Sequence, residues 1–398
     1  MSSVNASDLL VCTGCGARLQ HEDEDAPGYV PVSALQRIDP LCRRCFRMRH
    51  YGEFTRVVVP PDEYERLVGR VLTQPALILY VLDVFDLDGS LIPGFARLAK
   101  RHPVVLVVNK ADLMPLSVKL AATEDWILYR VARTGVHPER VLFVSARTGQ
   151  GFAELTEEME RHGLGRVCVV GMANVGKSSL LNRLTRRLAG DEPFTASRVP
   201  GTTLGTVAVE VTLPSGREVH LIDTPGLIHG KRIIDILCPA CLRRAVPASR
   251  LRPRVYQLNP GQSLWLGGFA RFDFEEGTFQ PVTCYVSNDL VVHRTKLERA
   301  EAFGKAHADD ILQAPCPACR SALGEHRPVP VVAGRFLRAG HAEEKALAVG
   351  RRGNDLVLPG LGWLALFGKD LRGKLWVPAD WDVIIRRRFV GDVSRPRS

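Results

Sequence analysis

No run of this 398-residue chain is long and apolar enough to span a bilayer. The longest, Leu77 to Leu82, falls far short of the ~20 residues a spanning helix needs. Met1 to Leu10 lacks the basic start and long apolar core of a secretion signal, so the expected location is the cytoplasm. Acidic residues are in deficit: 43 Asp and Glu against 53 Lys and Arg leave a net charge of +10. That balance suits a polyanionic partner, or merely a soluble surface. Scattered cysteine is scarce as well. Eight of the ten cysteines fall into the C-x-x-C pairs Cys12/Cys15, Cys42/Cys45, Cys238/Cys241 and Cys316/Cys319, leaving Cys168 and Cys284 single. In a cytosolic setting such pairs read as metal ligands before disulfides. With 45% hydrophobic and 24% charged residues, the composition is that of an ordinary soluble protein, long enough for two or three cores.

Cys12-Thr-Gly-Cys15 and Cys42-Arg-Arg-Cys45 are separated by 26 residues and are expected to hold one structural zinc. Each two-residue gap turns both sulfurs of a knuckle toward the metal, and the ion supplies folding energy that so small a module lacks. Four sulfurs leave no open ligand position for catalysis. Arg43, Arg44, Arg47, Arg49 and His50 surround the second knuckle with charge, for RNA or for solvent. Cys238-Pro-Ala-Cys241 and Cys316-Pro-Ala-Cys319 are identical knuckles 74 residues apart. They form a second zinc site if the chain between them returns beside its entry point.

The centre of the chain is Gly171-Met-Ala-Asn-Val-Gly-Lys-Ser178, a G-x-x-x-x-G-K-S sequence after the apolar run Arg166 to Val170. A buried strand entering a glycine-rich turn, followed by Leu180, Leu181 and Leu184 at helical spacing, reads as a phosphate-binding loop. Backbone N–H groups of Asn174, Val175, Gly176, Lys177, Ser178 and Ser179 are placed to face phosphates, Lys177 to reach the outer ones, and Ser178 to ligate Mg2+. Two further apolar runs, Leu77 to Leu82 and Val104 to Val108, have the character of parallel strands covered on both faces. The second delivers Asn109-Lys110-Ala111-Asp112, an N-K-x-D quartet in which the Asp112 carboxylate accepts two hydrogen bonds from guanine. Asn109 and Lys110 are expected to hold neighbouring loops and the base plane. A strand over Val141 to Val144 leads to Ser145-Ala146-Arg147, where the Ala146 N–H donates to the base carbonyl. Past the helix comes Pro200-Gly-Thr-Thr203, with Thr203, or else Thr202, reaching Mg2+ and γ-phosphate. A hairpin, Thr206 to Leu213 with Glu218 to Ile222, ends in Asp223-Thr-Pro-Gly226. Asp223 is assigned to Mg2+ and the Gly226 N–H to the γ-phosphate.

The base-reading elements thus precede the phosphate loop, the reverse of their order in Ras-like GTPases. Every element still fits its usual place in a doubly wound sheet, because moving the chain ends to a surface loop preserves the contacts. The chain is therefore identified as a circularly permuted GTPase, and the four-cysteine module in front resembles the YqeH family. The likeness continues through Tyr256-Gln-Leu, Gly268-Phe-Ala-Arg-Phe-Asp273, His293-Arg-Thr-Lys-Leu297 and Gly360-Leu-Gly-Trp363. The resemblance implies an α/β, Ras-like P-loop domain at 59–235, a zinc knuckle module at 1–58 and a mainly β domain at 236–398. It also implies assembly of the small ribosomal subunit, with GTP/GDP, Mg2+ and zinc as cofactors. The competing expectation is an RNA scaffold that barely turns over. A monomer is expected, with neither DNA nor membrane as partner. Leu227 stands where Ras-like enzymes place a water-orienting glutamine. Relatives with a hydrophobic residue there implicate K+ held partly by the asparagine at Asn174, so slow turnover, stimulated by K+ or ribosomal particles, is expected.

After Gly230 the chain turns basic and then proline-containing, with Lys231, Arg232, Arg243, Arg244, Arg250, Arg252 and Arg254 and with Pro247, Pro253 and Pro260, a shift that marks a boundary near 235 to 255. Strand character runs over Ser263 to Phe274, Pro281 to Ser287, Leu290 to Lys296, Asp355 to Leu358, Trp363 to Phe367, Leu375 to Val377 and Val383 to Arg387, with a helix over Leu297 to His307. Trp265, Phe269, Phe272 and Tyr285 alternate with Arg271, His293, Arg294 and Lys296, as an RNA face or as core. Arg386, Arg387 and Arg388 offer a basic end.

Overall fold

The computed structural model describes residues 11–13, 15–35, 40–51, 57–116, 118–189, 206–228, 232–338 and 346–390. The chain divides into two compact units, residues 1–112 with 124–229, and residues 113–123 with 230–398. The amino-terminal cysteine module thus belongs to the first unit, and the segment after Asp112 to the second.

The first unit comprises α1 (Arg43–Tyr51), β1 (Val58–Val59), α2 (Pro61–Val71), β2 (Leu77–Asp83), α3 (Phe95–Ala99), β3 (Val104–Asn109), α4 (Glu124–Ala132), β4 (Arg140–Phe143), α5 (Phe152–His162), β5 (Arg166–Val170), α6 (Lys177–Ala189), β6 (Val207–Thr212), β7 (Glu218–Asp223) and β8 (Gly226–Leu227). Its sheet runs β4-β3-β2-β5-β7-β6, parallel except for the β6–β7 hairpin. Strands β2 and β3 are buried along their whole length, as uninterrupted apolar runs require. Helix α2 starts at a proline with Asp62 and Glu63 in its first turn, and it buries Tyr64, Leu67, Val68 and Val71 at helical spacing. Apart from the main sheet, β1 lies parallel to β8, pairing Val58 with Gly226 and Val59 with Leu227. No helix among the described residues is long and apolar enough to cross a membrane.

The second unit comprises α7 (Pro239–Ala245), β9 (Arg254–Leu258), β10 (Gln262–Leu266), β11 (Ala270–Gly277), β12 (Gln280–Val286), β13 (Val292–Lys296), α8 (Ala300–Ala306), α9 (Pro317–Leu323), β14 (His326–Ala333), α10 (Arg335–Arg338), β15 (Leu347–Val349), β16 (Asn354–Leu358), β17 (Gly362–Leu366), β18 (Leu371–Pro378) and β19 (Ile384–Arg387). Two sheets, β13-β10-β11-β18-β14-β15 and β19-β16-β17-β12-β9, share one core. Alternate residues supply it: Leu264 and Leu266, Phe272 and Phe274, Val282 and Cys284, Leu356 and Leu358, Leu364 and Leu366. Two strand expectations change. Ser263 to Phe274 is two strands, because Gly267 takes a φ of 53° and turns the chain back on itself. The strands joined at Asn288-Asp289 lie in different sheets, β12 beside β9 and β17, and β13 beside β10.

Candidate functional site

Strand β5 delivers the chain to Gly171, and α6 begins at Lys177. Between them the loop closes around the Lys177 Nζ, which donates to the carbonyls of Gly171 and Met172 at 3.0 Å each. Gly176 has a φ of 94°, and a Cβ there would sit 2.3 Å from the Asn109 amide nitrogen, so only glycine fits. The loop borders a cavity of 270 Å³ whose walls include Val57, Lys110, Asn174, Lys177, Ser178 and Asp223. Ser178 is half-buried and Ser179 exposed.

The base-reading residues meet this loop across the sheet. Asn109 is buried; its Nδ2 donates to the Val175 carbonyl at 2.9 Å, and its Oδ1 accepts from the Ala146 N–H at 3.1 Å. One side chain thereby ties together all three loops. Lys110, in left-handed backbone with φ 63°, donates to the Asn174 carbonyl at 2.9 Å and to Asp83 Oδ2 at 2.5 Å. Sequence reasoning does not single out Asp83, at the end of β2, for this role; an acid at the carboxyl end of a buried parallel strand is the available signal. Asp112 accepts from Ser145 Oγ at 2.6 Å and from Arg147 Nε at 2.9 Å. Burial works to raise the Asp112 carboxyl, but the bonds from Ser145 and Arg147 outweigh it and hold the group below the ordinary carboxylate range. The carboxylate is therefore ionised at neutral pH, as an acceptor for two base N–H groups must be.

On the phosphate side, Asp223 ends β7 and is buried. Its Oδ1 is shielded from solvent and has no hydrogen-bond partner, an orphaned acceptor that fits a hydrated Mg2+ held with Ser178. Such an ion would neutralise phosphate charge. The other oxygen, Oδ2, accepts at 2.5 Å from Arg44 Nη2, a residue lying between Cys42 and Cys45. Burial pushes the Asp223 carboxyl up from its usual value, and Arg44 and then Lys177 pull it back. Arg44 is therefore neither solvated nor on an outer surface, unlike the expectation for the basic knuckle: its side chain is 5% exposed. The Gly226 N–H, assigned from sequence to the γ-phosphate, donates here to the Val57 carbonyl at 2.7 Å. Leu227 is buried, with its carbonyl accepting from the Ala173 N–H at 2.9 Å. Thr202 and Thr203 lie outside the described residues.

Both cysteine sets converge. Within Cys12, Cys15, Cys42 and Cys45, and within Cys238, Cys241, Cys316 and Cys319, the sulfurs all lie within 4.8 Å of one another. Cys15 and Cys42 are 3.7 Å apart and Cys238 and Cys316 are 3.9 Å apart, close to the ~3.8 Å edge of a tetrahedron with Zn–S bonds of about 2.3 Å. Backbone N–H groups of Cys42, Cys238 and Cys316 donate to the sulfurs of Cys12, Cys319 and Cys241, an arrangement that favours thiolates. All-sulfur donor sets of this size fit zinc. Two zinc ions per chain are expected on acid release into a chelating dye, falling to one in Cys238→Ser/Cys316→Ser; one ion from the parent protein excludes the second site.

In the second unit, residues that the sequence left open between an RNA face and the core fall to the core. Phe269, Phe272 and Tyr285 are buried. Arg271 bonds Asp273 and lies over the rings of Trp265 and Trp376 at 5.1 and 4.9 Å. Arg386 is buried against Asp355, and Arg232 against Asp235. Arg243, Arg250, Arg252, Arg294, Lys296 and Arg387 are among the described basic residues that stay exposed.

A phosphate loop, an N-K-x-D quartet locked to it, and a buried acid at the next strand's end define a P-loop GTPase. Residues 166–239 match the family model described as 50S ribosome-binding GTPase, and residues 279–389 the one described as YqeH-like, C-terminal. YqeH of Bacillus subtilis (strain 168) is 34% identical over 385 residues, covering 96% of this chain and 100% of that one. The chain belongs to the YqeH family. Human nitric oxide-associated protein 1 is 24% identical over 501 residues, covering 89% of this chain and 71% of its own. GTPase Der of Stenotrophomonas maltophilia (strain R551-3) is 34% identical over 201 residues, 44% of this chain and 40% of its own.

Proposed function

We propose that this GTPase is an assembly factor of the small ribosomal subunit, in which a circularly permuted Ras-like domain controls the attachment of the β unit to precursor rRNA. The observation that carries the reading is the meeting of Asn109 and Lys110 with the Asn174–Ser178 loop, although the base-reading residues come first in the chain. Exposed Arg250, Arg252, Arg294 and Lys296 on the β unit supply charge for a phosphate backbone. The protein acts as a monomer in the cytoplasm, without DNA or membrane. The description of the matching family model speaks of the 50S ribosome, so the subunit is the point to test. In-cell crosslinking read at nucleotide resolution should enrich small-subunit rRNA; enrichment of large-subunit, messenger or transfer RNA would overturn the assignment.

Intrinsic turnover is slow, because buried Leu227 cannot orient a water by hydrogen bonding. The same residue favours the second reading, an RNA scaffold with negligible hydrolysis. Turnover with and without small subunits separates the two, since a scaffold shows no stimulation. Asn174, held at φ 65° beside Lys177, is the candidate K+ ligand. GTP turnover is expected to be several-fold faster in KCl than in NaCl, and Asn174→Ala to erase that difference; equal rates in the parent protein exclude the ion.

A further inference from the structure

Two groups of the Asp223–Gly226 segment are engaged from one direction. Arg44, on α1 between two cysteines of the first cluster, bonds both the carboxylate and the carbonyl of Asp223, at 2.5 and 3.1 Å. Further along, the same amino-terminal segment forms β1: the carbonyl of Val57, just ahead of the strand, takes the Gly226 N–H, and that of Val59 within it takes the Ile228 N–H at 3.1 Å. Val57 and Val58 also wall the phosphate cavity. These are the carboxylate and the amide that Mg2+ and a γ-phosphate require. The Arg44–Asp223 pair is buried on both sides, at 5% and 4% exposure. Within such a pair the guanidinium neutralises the carboxylate as a bound cation does, and an acid with one oxygen bonded and the other orphaned cannot satisfy both cations at full strength.

We propose that Arg44 is a positioning residue of the nucleotide site: it competes with Mg2+ for Asp223, so that loading of Mg2+ and GTP is coupled to release of α1 and β1 from the Asp223–Ile228 segment. The cysteine module is then a nucleotide-sensing arm, docked by Arg44 and Val57 and loosened when those contacts are reassigned. Because coupling is reciprocal, whatever binds the released module raises the affinity for Mg2+ and GTP. The inference rests on the GTPase assignment and is independent of which RNA the protein meets.

The test uses the full, zinc-loaded chain and a non-hydrolysable GTP analogue whose binding is first confirmed by calorimetry; no binding would strike at the GTPase assignment and at this coupling together. Amide exchange at Ile228 and across Arg43–Tyr51 is expected to quicken about tenfold when the analogue and Mg2+ are added. Arg44→Gln is expected to lower the Mg2+ concentration for half-maximal retention of a fluorescent guanine nucleotide by about tenfold, with Arg44→Lys falling between the two. Unchanged or slower exchange in the parent protein overturns the proposal, and that measurement decides alone if the variant does not fold. A folded Arg44→Gln protein that needs as much Mg2+ as its parent, or more, also overturns it. Such a result would make Arg44 a packing residue or a phosphate ligand.

Discussion

Asp112→Asn is expected to weaken GTP binding by roughly a thousandfold, read by calorimetry or by displacement of a fluorescent nucleotide. Hydrogen bonds to a charged acceptor contribute ~1.5–3 kcal/mol each, and the proposed role of this carboxylate is to accept from guanine's ring N–H and exocyclic amine. Losing the charge and turning one acceptor into an amide donor therefore costs about 3–6 kcal/mol, or two to four decades. The substitution also touches the contacts from Ser145 and Arg147, so loss alone does not separate base reading from collapse of the loop. Xanthosine triphosphate does. Xanthine carries a carbonyl where guanine carries the amine, so the introduced side-chain amide can donate to that carbonyl while its oxygen accepts the ring N–H. The variant should bind xanthosine triphosphate better than GTP, and the parent protein the reverse. A variant that keeps its GTP preference would remove Asp112 from the base site.

Much of this site was legible because its chemistry is local in sequence. The phosphate loop and the N-K-x-D quartet each sit at the carboxyl end of a continuous apolar run, which announces a buried parallel strand without help from tertiary context, and Asp223 ends the second strand of a hairpin. Paired cysteines were equally legible, since a two-residue gap has few other uses. The pairing of Cys238/Cys241 with Cys316/Cys319 was open, because only the β unit's path decides it. What escaped is non-local. Arg44 and Asp223 lie 179 residues apart, and nothing around Arg44 marks one of two adjacent arginines as buried. Strand β1 is two residues long, too short for any periodicity, yet it captures Gly226. In the β unit the alternation of aromatic and basic residues is genuine, but one face of each strand is core. Phe272 and Phe274 fill it, while Arg271 and Asp273 form an internal pair. Composition alone does not tell such a pair from a surface waiting for phosphate.

Arg386 follows the same logic, and its replacement should be the most destabilising single change in the β unit. Asp355 on β16 stands opposite Arg386 on β19, with Nε 3.2 Å from Oδ2 and side chains 3% and 1% exposed. The guanidinium also lies over Trp363 and Phe389 at 5.0 and 5.4 Å, and the Phe389 N–H donates to the same carboxylate oxygen at 2.8 Å. Arg386→Met keeps most of the volume but leaves a buried carboxylate with one backbone donor, at a cost of ~3–5 kcal/mol. Exposed Arg387→Met, its neighbour, should stay within about 0.5 kcal/mol of the parent protein. The cost depends on pH, with a definite sign. Burial, only partly offset by Arg386 and the Phe389 N–H, pushes the Asp355 carboxyl up to about 6. Since the unfolded chain titrates near ~3.9, the folded state takes up the proton first: the stabilisation is complete below that value and is lost as pH rises through about 6. Without Arg386 the folded carboxyl climbs further, so the loss extends to higher pH in the variant than in its parent. Urea unfolding at pH 8 and pH 5 should therefore show the full penalty at pH 8 and a much smaller one at pH 5, where Asp355 is buried as a neutral acid in both proteins. A penalty equal at the two pH values would mean that Asp355 stays ionised and hydrated, and that β19 is held by its ladder and aromatic packing rather than by this ion pair.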